Sequence, residues 1–93
     1  MIANEAGRLV ISVPMVMDNA RGLLDTGRQL LKPGTQVFDF SQVGVADSSA
    51  VAVMLGWLRA ADQLRSTLTF AEVPPGVRSL AELYGVTDLL PLA

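Results

Sequence analysis

The amino-acid sequence predicts an α/β fold, with a small mixed β-sheet of about four strands and helices packed against it. Short runs of β-branched and aromatic residues alternate along the chain with longer stretches of helical periodicity. Proline and glycine residues separate several of these stretches. The length of 93 residues accommodates one hydrophobic core, so we expect a single domain over residues 1–93.

The first strand-like run lies at residues 8–13, and residues near Ile2 are placed to pair with it as a short hairpin. Pro14 lacks a backbone N–H, which a helix tolerates at its first position. We therefore expect Pro14 to open a first helix over residues 15–31, where apolar positions recur at helical spacing. The Lys-Pro-Gly sequence at 32–34 ends this helix.

The second half of the chain repeats the alternation of strand and helix. We expect right-handed crossovers to make the strands after the first helix parallel to one another, and the expected order is ββαβαβα. The predicted elements are a strand at 35–40, a loop at 41–46, a long helix at 48–64, a strand at 67–73, a short helix from Val77 to Tyr84 closed by Gly85, and a last turn at 87–90 capped by Thr87.

The composition argues against several classes of function. The chain has no Cys and no His, which removes thiolate and imidazole catalysis and the commonest metal ligands. Seven basic residues against nine acidic residues give no basic patch of the kind that nucleic-acid binding requires. We therefore expect no enzyme activity and no catalytic residues, and we expect no cofactor, no metal and no nucleic-acid partner.

Charged residues make up 17% of the chain, against about 25% in typical soluble domains. This shortage of charge indicates that a partner covers part of the surface. No apolar run approaches the ~20 residues of a membrane span, and the N-terminus lacks the pattern of a signal peptide. We expect a cytoplasmic protein that does not insert into a membrane by itself.

Asp47, Ser48 and Ser49 form the most informative segment, because they lie where the long helix begins. The first four N–H groups of a helix have no partner within it, and Asp or Ser side chains accept hydrogen bonds from them. Either Asp47 or Ser48 is therefore expected to cap the helix. Several cap-competent residues in a row exceed what capping requires, which leaves a hydroxyl free for a partner, a phosphate or phosphorylation.

The residues around this turn resemble the signature of the STAS domain family, which includes the anti-sigma factor antagonists. The matching residues are the Asp-Phe-Ser-Gln-Val run at 39–43, Ala46, the Asp-Ser-Ser turn at 47–49 and the Leu-Ala-Glu-Leu-Tyr-Gly-Val run at 80–86. The family has Gly directly after the turn, whereas this chain has Ala50. The resemblance covers nearly the whole chain and implies a STAS-like fold and a module that binds other proteins.

Within the family, the chain is similar in particular to the small STAS subunits of bacterial phospholipid ABC transporters. That likeness implies a partner, the ATPase subunit of the transporter, in a complex with a permease and a periplasmic lipid-binding subunit. It also implies a cytoplasmic location, peripheral to the inner membrane through that ATPase. In those subunits a hydroxyl directly after the motif Asp serves in binding, and Ser48 holds this position.

The anti-sigma factor antagonists imply the alternative function, a switch operated by serine phosphorylation. Their phosphorylated residue lies one place later, which corresponds to Ser49. This chain has hydroxyls at both Ser48 and Ser49, so the motif alone leaves both functions and both phosphorylation sites open.

The long helix carries an apolar arc of about 200°, which is wider than the stripe of about 100° on an ordinary surface helix. Trp57 lies on that arc and is expected in the core. Small residues recur every four positions, at Ala52, Gly56 and Ala60, and they pack either on a partner or on this protein's own first helix. The predicted partner-binding residues are Asp47, Ser48, Ser49, Ala52, Gly56 and Arg59.

Four other side chains carry weaker expectations. Asp39, at a strand end, is expected to accept a hydrogen bond from the loop backbone rather than to act with Asp47 as a catalytic pair. Met15 and Met17 lie two residues apart near a helix start, so only one of them is expected to face the core. Tyr84, at a helix end, is expected to direct its hydroxyl to water.

Overall fold

Four strands and three helices follow one another in the order that the sequence predicts. The computed structural model describes residues 1–93. The elements are β1 (Ile2–Glu5), β2 (Arg8–Ile11), α1 (Met17–Leu30), β3 (Gly34–Asp39), α2 (Ser49–Gln63), β4 (Ser66–Ala71) and α3 (Pro75–Leu83), followed by a 3₁₀ turn at Thr87–Leu89.

The strands form one mixed sheet in the order β1-β2-β3-β4. β1 and β2 are antiparallel, with Ile2 opposite Ile11, whereas β2, β3 and β4 run parallel to one another. The predicted α/β class and the predicted parallel pairing are confirmed. In such a sheet the carboxyl ends of the parallel strands meet at one edge, which places the β3–α2 loop and the start of α2 there.

A two-residue loop, Ala6-Gly7, closes the hairpin between β1 and β2. Glu5 and Arg8 are paired across it, and both loop residues have positive φ, 53° for Ala6 and 81° for Gly7. Two positive φ values in a two-residue loop are typical of the hairpin turn whose twist matches that of the flanking strands. The hairpin near Ile2 is confirmed.

The start of α1 differs from the prediction. Pro14 does not open the helix, which begins at Met17 instead. The N–H of Met15 donates to the carbonyl O of Val45 at 2.9 Å, and the N–H of Asp47 donates to the carbonyl O of Met15 at 3.0 Å. Because these bonds pair Met15 with the segment that enters α2, the chain stays extended for two residues beyond the proline.

Two smaller predictions at element ends are also wrong. β2 ends at Ile11 rather than at residue 13, although the N–H of Ser12 still donates to the carbonyl O of Met1, the next residue in the pairing with β1. Thr87 does not cap the last turn, since that turn has no side-chain cap. Gly85 does close α3, as predicted, with a positive φ of 70°.

Trp57 of α2 connects the helices to the sheet. Its side chain is fully buried and stacks on Phe38 of β3, with ring centroids 4.2 Å apart and an interplanar angle of 4°. The indole N–H donates to the carbonyl oxygens of Leu23 and Leu24 in α1, at 3.3 and 3.2 Å. The ring lies against Gly27, where no side chain would fit. The prediction that Trp57 belongs to the core is confirmed.

The C-terminal residues cover the outer edge of β4. The N–H of Phe70 donates to the carbonyl O of Pro91, and the N–H of Ala93 donates to the carbonyl O of Phe70, both at 2.9 Å. These bonds occupy backbone groups that would otherwise offer an edge for pairing with another chain.

Candidate partner-binding site

The Asp47 carboxylate holds the turn that enters α2. Its Oδ1 accepts hydrogen bonds from the backbone N–H of Ser49, at 2.8 Å, and from the Ser49 hydroxyl. Ser48 makes no capping bond through its side chain. The expected cap is therefore confirmed, and Asp47 rather than Ser48 provides it.

The second oxygen of the same carboxylate reaches α1. Oδ2 of Asp47 accepts a hydrogen bond from the N–H of Met17 at 3.1 Å. Met17 is the first residue of α1, and its N–H has no acceptor within that helix. One carboxylate thus satisfies free N–H groups at the starts of two helices.

These hydrogen bonds favour the ionised form of Asp47. The pKa of the Asp47 carboxyl is lowered below its ordinary value. The largest cause is the hydrogen bond from the Ser49 hydroxyl, followed by those from the N–H groups of Ser49 and Met17. The carboxylate is therefore charged at neutral pH, at helix starts whose partial positive charge stabilises an anion.

Ser48 and Ser49 differ in the availability of their hydroxyls. Ser48 is exposed, and its hydroxyl has no hydrogen-bond partner within the chain. Ser49 is half-buried, and its hydroxyl donates to Asp47. The surplus hydroxyl that the sequence predicts is therefore that of Ser48.

Exposed apolar side chains flank this turn. Met17 is 76% exposed and Val45 is 61% exposed. Met17 is bonded to Asp47 through its backbone N–H, and Val45 lies two residues before Asp47 in the chain. On the other side, Ser48 lies at one end of an open groove between α2 and the end of α3, which is lined by Ala52, Leu55 and Tyr84 among others. Ser48 thus presents a hydroxyl within a largely apolar, solvent-facing surface.

The remaining predicted partner-binding residues divide between two faces of α2. Ala52 is exposed and lines the same groove as Ser48. Gly56 lies against this protein's own first helix, because a Cβ there would be 2.6 Å from Cδ1 of Leu24. Arg59 is exposed beside Gly56, in a groove between α1 and α2. At Gly56, packing on α1 therefore accounts for the small residue.

Asp39 stabilises the loop that leaves β3. It is 8% exposed; its Oδ1 accepts a hydrogen bond from the Ser41 N–H at 2.8 Å, and its Oδ2 pairs with Arg8 at 3.2 Å. Hydrogen bonding from Ser41, with a smaller contribution from Arg8, lowers the pKa of the Asp39 carboxyl. The predicted bond to the loop backbone is confirmed.

Sequence reasoning missed the link between Asp47 and Met17. The two residues are 30 positions apart, and no local pattern signals a cap that one helix supplies to another. The methionine spacing did predict one exposed side chain, and that side chain is Met17, whereas Met15 is buried. Tyr84 is 52% exposed, consistent with its expected contact with water.

No three side chains among Asp and Glu lie together in a way that would hold a metal ion. None of the helices combines the length and the apolar content that crossing a bilayer requires.

Comparisons with known proteins agree on the fold. Similar solved structures include the anti-sigma factor antagonist SpoIIAA in its unphosphorylated form, with a TM-score of 0.72 and 14% identity over 100% of this chain and 86% of that one. They also include a candidate anti-sigma factor antagonist from Thermotoga maritima, with a TM-score of 0.69 and 12% identity over 99% of this chain and 83% of that one. No curated protein matches the chain. The family model described as "Mlab, STAS domain" matches residues 2–91, and on that evidence the chain belongs to the STAS domain family, with the MlaB-like members.

Proposed function

We propose that this chain is a non-catalytic subunit that binds the MlaF-like ATPase of a bacterial phospholipid ABC transporter and stabilises or regulates it. The complete assembly would include a permease and a periplasmic lipid-binding subunit, and it would maintain lipid asymmetry in the outer membrane. The observation that carries this proposal is the exposed Ser48 hydroxyl, which has no partner within the chain and lies among exposed apolar side chains.

The proposed contact area, here called the helix-entry surface, consists of Met17, Val45, Ser48, Ala52 and Tyr84. Apolar and aromatic side chains at the centre of an interface supply most of its binding energy when water is excluded. Ala52 is small, so a partner backbone approaches α2 closely at that position. The Ser48 hydroxyl both donates and accepts hydrogen bonds, which gives the contact directional specificity.

Asp47 and Ser49 belong to this proposal as positioning residues. Their side chains bond to each other and to the start of α1, so they hold Ser48 and Met17 in a fixed relation. A preorganised surface loses less conformational entropy when it binds.

Regulation would follow from thermodynamic linkage. If the subunit binds one conformation of the ATPase more tightly than another, it shifts the conformational equilibrium by the ratio of the two affinities. No bond is made or broken in the subunit. The expected location is the cytoplasm, at the inner membrane through the ATPase.

The proposal is tested by placing a bulky charge at Ser48. The Ser48→Arg variant is co-expressed with a tagged MlaF-like ATPase, and the bound fraction is measured by affinity capture and size-exclusion chromatography. Thr35→Arg is the matched control, because Thr35 is exposed at the start of β3, at the opposite end of that strand from the helix-entry surface. We expect Ser48→Arg to lose the complex and Thr35→Arg to retain it, while both fold. Full binding by folded Ser48→Arg would contradict the proposal.

A phosphorylation switch of the anti-sigma type is the second candidate. It is favoured by the bond between Ser49 and Asp47, because a phosphate on Ser49 would replace that bond with repulsion between two anions. The link to α1 would then loosen. Incubation with ATP and an anti-sigma kinase, followed by intact-mass analysis of the wild type, Ser48→Ala and Ser49→Ala, tests it. A gain of one phosphate that only Ser49→Ala abolishes would support the switch, whereas an unchanged mass would count against it.

A further inference from the structure

An open surface groove runs between α1 and α2, beside the α2–α3 groove of the helix-entry surface, with which it shares Ala52. It extends along α2 from Ala52 to Leu64, which corresponds to about 18 Å at 1.5 Å per residue. Leu24 and Gly56 lie within it. We call it the α1/α2 groove.

Basic residues are concentrated in the α1/α2 groove. Arg21, Arg28 and Arg59 line it, and Asp25 is its single acidic residue. These four residues have a formal charge of +2, whereas the chain as a whole has −2, so the rest of the molecule carries −4. The groove is therefore a local positive region on an acidic protein.

The three arginines are free to bind an external anion. Each of them is exposed, and the one ion pair in the molecule joins Arg8 to Asp39 instead. Guanidinium groups bind carboxylates through paired hydrogen bonds of well-matched geometry. A ligand with several carboxylates would thus be complementary to this surface.

The lining of the groove mixes polar side chains, such as Gln29 and Gln63, with small and half-buried apolar ones. Ala52 and Ala60 line the α2 side two turns apart, and the half-buried Leu24 of α1 packs against Gly56 between them. A ligand backbone approaches closely where side chains are small, and an apolar ligand face would cover Leu24. We infer that the α1/α2 groove binds an acidic amphipathic helix of about 12 residues, supplied by another protein.

The surrounding charge favours a peptide over other polyanions. A bilayer of anionic lipid or a nucleic acid would extend beyond the groove onto the part of the molecule that carries −4, where it would be repelled. A short helix would contact the basic region alone. The inference does not depend on the proposed ATPase contact, because the two surfaces share only Ala52 and the three arginines lie outside the helix-entry surface.

The test selects ligands for the groove directly. A display library of random 14-residue peptides is selected on the wild-type protein in the presence of excess Arg28→Gln/Arg59→Gln competitor. Enriched peptides are then labelled, and their affinity is measured by fluorescence anisotropy. The control variant is Lys32→Gln/Arg65→Gln, which removes the same charge from exposed residues outside the groove. Circular dichroism verifies that both variants fold.

We expect the enriched peptides to carry Asp or Glu and apolar residues at helical spacing. Their affinity should fall about tenfold or more in Arg28→Gln/Arg59→Gln, and less than threefold in the control. The Ser48→Arg variant should bind them as the wild type does, which separates this result from the test of the proposed function. Absence of enrichment, enrichment of neutral or basic peptides, or equal losses in the two double variants would overturn the inference. The inference would also be overturned if a 15-nucleotide thymidine oligomer or phosphatidylglycerol vesicles bound more tightly than the peptides did and if that binding depended on Arg28 and Arg59.

Discussion

The carboxylate of Asp47 and the backbone N–H of Met17 lie 3.1 Å apart and join the starts of α2 and α1. The same carboxylate caps α2 through Ser49. These bonds fix the positions of Met17 and of Ser48, which lies between Asp47 and Ser49. Asp47 therefore determines the geometry of the surface that we propose for binding. Asp47 thus supports the proposed binding surface by holding the two helix starts, although the sequence places it among the residues predicted to contact a partner.

Replacing Asp47 by Ala should loosen both helix starts. The amide hydrogens of Met17 and Ser49 would lose their acceptor, so both should exchange faster with solvent, and the urea midpoint of unfolding should fall. Asp47→Asn should behave less severely, because an amide oxygen still accepts a hydrogen bond. Hydrogen exchange followed by NMR checks this. Unchanged protection of the Met17 amide in Asp47→Ala would contradict the role assigned to the carboxylate.

The effect of Asp47→Ala should depend on pH. The folded-state pKa of Asp47 is lowered from 3.8, so its stabilising contribution is fully present above about pH 4 and is lost as the pH falls through the folded-state pKa. The difference in urea midpoint between wild type and variant should thus shrink below pH 3.8. Asp39, whose pKa is also lowered, should add to the acid sensitivity of both proteins. A difference that stays constant from pH 7 to pH 2 would be inconsistent with this account.

The two glycines inside α1 should respond in opposite ways to alanine. A methyl group at Gly27 would lie 2.5 Å from Cε2 of Trp57, and closer still to Nε1. Because the indole is fixed by Phe38 and by two carbonyl groups, Gly27→Ala should lose about 1–3 kcal/mol of unfolding free energy. A methyl group at Gly22 would meet only the flexible end of Met1, at 3.3 Å. Gly22→Ala should therefore gain about 0.5–1 kcal/mol from helix propensity.

Chemical denaturation monitored by circular dichroism measures both changes under the same conditions. The pair is informative because the two substitutions are chemically identical and lie on the same helix. A loss of stability in Gly22→Ala, or a gain in Gly27→Ala, would show that the contact with Trp57 is not what decides the outcome.

Local patterns were sufficient to predict the order of elements and the parallel pairing of β3 with β4. The alternation of strand and helix signals determines this, because a helix between two strands carries the chain back across the sheet so that the next strand starts in the same direction. The prediction that Trp57 lies in the core was correct, because Trp57 belongs to the apolar arc of the long helix and that arc packs on the sheet. The need for glycine at position 27 could not be predicted locally, since it depends on the Trp57 ring, which is 30 positions away in the chain.

The predicted site was harder to resolve, because several of its features depend on tertiary contacts. Pro14 appeared competent to open a helix, but Met15 pairs with the segment before α2, and this pairing outweighs the local preference. The sequence could not decide between a partner and α1 as the neighbour of Gly56. Leu24 of α1 lies close enough to Gly56 to account for the small residue, and a partner contact at Gly56 stays a prediction.

Enlarging Gly56 should therefore alter stability as well as any binding. Gly56→Leu would force the Leu24 side chain to move and should cost about 1–3 kcal/mol of unfolding free energy. Ala52→Leu is the matched control on the same helix, because Ala52 is exposed, and it should change stability by less than about 0.5 kcal/mol. Urea denaturation of the isolated protein measures both. Equal stability of the two variants would place Gly56 on an open face.

Negative charge at Ser48 and at Ser49 should have opposite effects on the isolated protein. Ser48 is exposed in the first turn of α2, where a carboxylate interacts favourably with the helix dipole, so Ser48→Asp should gain about 0.3–1 kcal/mol. Ser49→Asp instead removes the hydroxyl that bonds to Asp47 and places a second carboxylate beside it, so it should lower the urea midpoint. It should also increase hydrogen exchange at the Met17 amide, because repulsion displaces the carboxylate that Met17 contacts. Ser49→Ala separates the two causes, since it loses the bond without adding charge and should fall between wild type and Ser49→Asp. If Ser49→Asp matched Ser48→Asp in stability and in exchange at Met17, the bond between Ser49 and Asp47 would have no part in holding the two helices together.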